Sequence, residues 1–228
     1  MDIEEYRKQF IDELRFNAEH EGTEPETQFI EKSLSDLEEI GELNDPIPMS
    51  IEMRGSRNRL LAFDAYAYDE ADGALILIAS DFTNERDSTP TLTNSRIEDI
   101  YTHMLNFLDE CVQGNICKYC DDSDPALIIA NEFRKKIGKG MLSTEILRFK
   151  FFILSNATLS KTVKNLSKPE FLGRPVELNV WTLERFYQTF TSNSSEIIEI
   201  DTADFGCDGI QCLKADIGVD SEYDAYLG

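Results

Sequence analysis

Apolar residues recur along the chain with changing spacing, and each change marks an element. Ile3, Tyr6, Phe10, Leu14 and Ala18 fall on one helical stripe, so residues 2–21 are expected to form an amphipathic helix with an acidic outer face, ended by Gly22. Phe29, Ser33, Leu37 and Ile40 mark the inner face of a second helix reaching about residue 40. Its start reads as a capping box: Thr23 is the N-cap, Pro25 lies in the first turn, and Glu26 follows Thr23 by three residues. Residues 49–53 read as a first strand before a Gly-Ser-Arg-Asn turn at 55–58. From Arg59 to Thr83 the pattern becomes strand-like. Residues 60–68 and 74–82 are aromatic and aliphatic, and 69–73 carry turn chemistry, with Gly73 able to take a positive φ. A four-residue loop sets Tyr68 opposite Leu75 and Asp64 opposite Ala79, which puts Asp64, Ala79 and Asp81 on one side of the sheet.

Residues 84–95 are polar and read as an exposed loop. Helical spacing returns with Ile97, Ile100, Tyr101, Met104, Leu108 and Cys111 and stops near Gly114; His103 lies off that stripe and is expected to face solvent without a chemical role. Asp124 or Ser123 caps a further helix that begins at Pro125, runs on Leu127, Ala130 and Phe133, and ends at Gly138. Capping explains the carboxylates there more simply than a calcium loop, whose central Gly and terminal Glu are missing. Residues 148–154 are strongly β-prone and, after Lys150, apolar on both faces, as a central strand covered by helices should be, and 176–182 fit a parallel neighbour. The crossover at 155–175 is expected to hold a short basic helix. Thr182 caps a last helix with Leu183, Phe186, Tyr187 and Phe190 facing inward, and 196–200 read as a charged edge strand. The expected fold class is α/β (α+β): a mixed five- or six-stranded sheet flanked by helices, with the hairpin at its centre. Residues 1–200 form the domain, and 201–228 read as an acidic tail or linker leading to a further domain of a longer protein.

Charge narrows the function classes. A net charge of -22 over 228 residues opposes wholesale nucleic-acid binding, which depends on neutralising phosphates. The exception is 134–174, where ten Lys or Arg stand against Glu145 and Glu170; this basic segment alone could track a nucleic acid. Five cysteines without an export signal suggest reduced thiols in a cytoplasmic protein. Cys117 and Cys120 form a Cys-x-x-Cys pair, but Cys207 and Cys212 have the wrong spacing to complete a zinc ribbon. The longest apolar runs, ALILIA and FFIL, fall well short of the ~20 residues of a membrane span. P-loop, dinucleotide, nucleophile-elbow and His-Glu-x-x-His motifs are all missing. With His20 and His103 as the only histidines, Ser/His/Asp and Cys/His catalysis lack a placed base. The chemistry that remains is carried by Asp64 and Asp81, two carboxylates on adjacent strands able to hold a divalent cation or share a proton.

The segments MDIEEYRKQF, DPIPMS, FDAYAYDEADG, KYCDDSDPA, TEILRFKF and RPVELNVWTLERF cover most of residues 1–215 and resemble the N-terminal part of the AIPR (abortive infection phage resistance) family. The order of helices, acidic strand and hairpin resembles the PD-(D/E)XK nuclease-like, or restriction-endonuclease-like, fold. In nuclease-active relatives the second strand carries an acid or Gln, a spacer and a Lys. Here Ala79, Ser80 and Asp81 stand at those positions; if Asp81 is taken as the acid, Thr83 stands where the Lys should be, and Phe63 replaces the Pro before Asp64. A catalytic Glu often comes from an N-terminal helix in that fold. Among the candidates, Glu13 and Glu21 belong to the acidic solvent face and Glu26 to the capping box. The resemblance implies a phage-defence domain, catalytically degenerate and used for assembly or sensing, with a homo-oligomeric or other protein partner. The alternative it implies is an active Mg²⁺-dependent nuclease with Asp64 and Asp81 as catalytic carboxylates and metal ligands.

Overall fold

The computed structural model describes residues 2–138, 145–161, 170–191, 213–214 and 226–227. Helix α1 spans Ile3–Glu21. It begins where the Asp2 side chain accepts the Glu5 N–H at 2.8 Å and ends at Gly22, whose φ of 69° turns its N–H back to the Ala18 carbonyl. Helix α2, Pro25–Glu39, starts from Glu24 with Pro25 in its first turn and has no side-chain cap. The expected capping box is therefore not formed, and Glu26 is left to reach elsewhere. Strand β1, Ile47–Arg54, and a 3-10 turn at Ser56–Asn58 lead into the hairpin of β2, Leu60–Asp69, and β3, Ala74–Asp81.

The expected pairing of Tyr68 with Leu75 is present, and the ladder runs from Asp69 opposite Ala74 to Ala65 opposite Ile78. It stops one residue short of Asp64. There β2 changes its alternation: Leu61 and Phe63 pack into one core, Ala65 and Ala67 into the other, and Tyr66 returns to the first. The neighbouring strand shifts register at the same level, between Pro48 and Ile51. Such an irregularity re-aims a side chain at the cost of local ladder bonds.

Strand β4, Thr91–Leu92, precedes α3, Asn94–Gln113, and a 3-10 turn at Ile116–Lys118 precedes α4, Pro125–Ile137. Asp124 caps α4 as expected, accepting the Ala126 N–H at 2.8 Å. Then come β5, Arg148–Ser155, β6, Thr158–Leu159, β7, Glu170–Phe171, β8, Arg174–Trp181, and α5, Leu183–Thr191. The stretch 84–95 is more than an exposed loop: Leu92 is buried, and β4 pairs in parallel with β6. His103 is half-buried rather than solvent-facing, and burial pushes its imidazole pKa down. Within the 155–175 crossover, β6 and β7 are strands; the segment 162–169, where the basic helix was expected, lies outside the described residues, as do 196–200, Cys207 and Cys212.

The principal sheet has six strands in the order β1-β2-β3-β5-β8-β7. The β1–β2, β2–β3 and β7–β8 pairs are antiparallel, whereas β3–β5 and β5–β8 are parallel. Phe149, Phe151 and Ile153 of β5 pack with α3 and α4 residues such as Phe107 and Phe133. Phe152 and Leu154 pack on the other face with Phe10, Leu14 and Phe29 of α1 and α2 and Phe186 of α5. Helices on both faces explain why β3 is apolar from Ala74 to Ala79 and β5 from Phe151 to Leu154. The chain divides into two compact units, Met1–Thr191 and Ser192–Gly228. Of the second unit, which includes the expected tail, the described part is β9, Leu213–Lys214, paired antiparallel with β10, Tyr226–Leu227.

Candidate functional site

Strands β3 and β5 end side by side, with Asp81 opposite Ser155. The backbone beyond them is held by Arg7, which sits on the apolar stripe of α1 and is buried. Its Nε donates to the Asn156 carbonyl at 3.1 Å, Nη1 to the Glu85 carbonyl at 2.6 Å and Nη2 to the Thr83 carbonyl at 3.3 Å. Asn156 brackets Thr83, accepting its N–H at 3.0 Å and donating to its carbonyl at 2.9 Å. Buried polar groups satisfied in this way fix the chain around Asp81.

Asp81 follows Ala79 on the side of β3 covered by α3. Its Oδ1 takes the Arg96 Nε at 2.7 Å and its Oδ2 takes the Ser155 hydroxyl at 3.1 Å. Arg96 is placed by the first turn of α3, where Thr93 is the N-cap. Asp64 points to the other side, toward α2. Its Oδ2 accepts the Ser80 backbone N–H at 2.7 Å, and its Oδ1 accepts the Ser50 hydroxyl at 3.3 Å. The Ser80 hydroxyl in turn donates to Glu26 Oε1 at 3.4 Å. The break in β2 alternation thus brings Asp64 together with Ser80 and Glu26, while Asp81 joins Arg96 and Ser155.

Burial pushes the Asp64 carboxyl above its usual range, against the pull of the Ser80 and Ser50 hydrogen bonds, and the charge of Glu52 adds to the rise. Glu26 is also raised, first by burial and next by the charge of Asp64, with smaller contributions from Glu52 and Asp81. Mg²⁺ needs several oxygens free to face one point. Each Asp64 oxygen already accepts one hydrogen bond, from an N–H and from a hydroxyl, and Asp81 already has a cation in Arg96. Among the described residues no three His, Cys, Asp or Glu side chains converge to hold a metal ion. As arranged, these residues do not fit Mg²⁺. Among the described residues no lysine pairs with Asp64 or Asp81: Lys150 of β5, opposite Ile76, pairs with Asp69 at 3.0 Å and Asp72 at 2.8 Å at the hairpin turn. That is five residues, roughly 16 Å, from the Asp81 end.

Two of these residues, Arg7 and Arg96, are missed by sequence reasoning. Arg7 falls between Ile3 and Phe10 on the apolar stripe of α1, and a charge on such a stripe signals a buried partner. Arg96 carries no comparable sign, because its contact depends on how α3 returns over β3. Cys111, Cys117 and Cys120 are free thiols, and no helix of the described residues is long and apolar enough to cross a membrane. Residues 29–188, from α2 to α5, match the family model described as the abortive infection phage resistance protein N-terminal domain. No curated protein and no solved structure matches the chain.

Proposed function

The chain belongs to the family of abortive infection phage resistance protein N-terminal domains, and from that premise we propose that it is a nuclease-like domain that has lost its metal chemistry and serves phage defence through assembly or sensing. The observation that carries this reading is the pairing of Asp81 with Arg96. A nuclease needs that end of β3 to attract a divalent cation and a phosphodiester; here the chain's own guanidinium occupies the carboxylate. The satisfied oxygens of Asp64 and the remoteness of Lys150 support the same reading. A domain of this kind acts through a protein partner or a second copy.

The test is phage challenge of cells expressing the full-length protein with either wild-type residues or Asp64→Asn and Asp81→Asn. Protection retained by both folded variants is expected. Loss of protection in variants that keep the wild-type circular dichroism spectrum would favour the alternative, an active nuclease working through Asp64 and Asp81.

A further inference from the structure

Arg174 opens strand β8, at the end of the parallel strands opposite to Asp81. Leu172 and Gly173, with φ of 54° and 70°, make the tight turn that returns the chain from β7 and sets Arg174 opposite Phe171. Phe171 packs edge-on against Phe149 with ring centres 5.3 Å apart, and Val176, two residues on from Arg174, is part of the α3/α4 core. The arginine is therefore carried into an apolar setting, and only 3 % of it remains exposed. Its Nε and Nη1 are buried and, among the described residues, have no hydrogen-bond partner.

That state is unusual, because guanidinium stays charged in proteins and its donors are costly to bury unpaired. Other cations of the domain show the ordinary solution. Arg7, equally buried, donates to three carbonyls. At the same end of the sheet as Arg174, Lys150 pairs with Asp69 and Asp72, Arg148 with Glu177, and Lys136 with Glu145. Among the described residues, Arg174 alone of these four has no counter-charge.

We propose that Arg174 is the base of a small oxyanion site, accepting a single phosphate or carboxylate group. The planar guanidinium donates to such oxygens along fixed directions, and its weak hydration makes it better suited than lysine to a desolvated pair. The near-complete burial selects one compact anionic group over an extended polyanion. This site is independent of the nuclease-like reading, since it lies at the other end of the strands from Asp64 and Asp81.

The test is thermal unfolding of the full chain at constant ionic strength, with chloride replaced stepwise by inorganic phosphate or by acetate. Wild type and Arg174→Met are compared, and the Arg174 Nε–Hε resonance is followed in wild type by NMR. A saturating rise in midpoint is expected, about 4 °C at ten times the dissociation constant, together with a shift of the resonance. The rise should vanish in Arg174→Met, which separates binding from general salt stabilisation. A response to phosphate alone identifies a phosphate group; an equal response to acetate identifies any carboxylate-sized oxyanion. If the methionine variant does not fold, the wild-type resonance decides. An unmoved resonance, or a rise that persists in Arg174→Met, overturns the site.

Discussion

Arg96 Nε lies 2.7 Å from Asp81 Oδ1, so the acidic end of β3 is closed by a cation from the first turn of α3. The pair is half in solvent, with the arginine side chain 51 % exposed and the aspartate 18 %. Pairs of this kind contribute up to about 1 kcal/mol. Arg96→Ala should therefore lower stability by about 0.5 kcal/mol in urea unfolding with an unchanged m-value, and the purified variant should still cut no nucleic acid in Mg²⁺. A loss above about 2 kcal/mol would mean that the pair holds α3 in place rather than neutralising Asp81.

Asp64 should matter more to folding. Its carboxylate is the acceptor for the Ser80 N–H and the Ser50 hydroxyl, and a stranded donor costs about 1–3 kcal/mol. Asp64→Ala is expected to cost about 1 kcal/mol at neutral pH, since relief of a buried charge offsets part of that loss. The cost should grow on acidification. The folded carboxyl binds its proton at higher pH than the unfolded one, so the native wild type gains stability as pH falls through the raised value, and the gain is complete below the ordinary value of about 3.9. Urea unfolding of both proteins across that window measures it; a gap that narrows on acidification would contradict the burial of Asp64.

Glu26 and Asp64 should titrate as neighbours. The Glu26 carboxyl is raised by its own burial and then by the charge of Asp64, so Asp64→Asn should move its titration down toward the ordinary value without reaching it. Side-chain carboxyl ¹³C shifts followed against pH measure this. A Glu26 titration untouched by the substitution would separate the two groups.

The sequence exposes those parts of the molecule that repeat with a period. The α1 stripe, the Tyr68–Leu75 pairing, the Asp124 cap and the apolar β5 all depend on spacing and local chemistry, and the structure has each of them. The six-stranded mixed sheet follows once those elements are joined. The neighbourhood of Asp64 is less legible, because strict alternation carries it to the side of Ala79, whereas the break in β2 turns it to Ser80 and Glu26. Glu26 is misread for a related reason. The Thr23–Glu26 spacing suits a cap, but the N-cap position falls one residue later, on Glu24, and frees Glu26 to meet the sheet. Arg96 depends on a contact fifteen residues away in sequence, which no local pattern encodes.

The most direct test of lost metal chemistry is incubation of the purified chain with supercoiled plasmid, single-stranded DNA and RNA in Mg²⁺ and in Mn²⁺. The chain carries a net charge of -22, its Asp81 is already paired with Arg96, and each Asp64 oxygen already accepts a hydrogen bond. All three substrates should remain intact over the time in which a metal-dependent nuclease digests them. Cleavage that depends on the metal and disappears in folded Asp64→Ala would contradict the account.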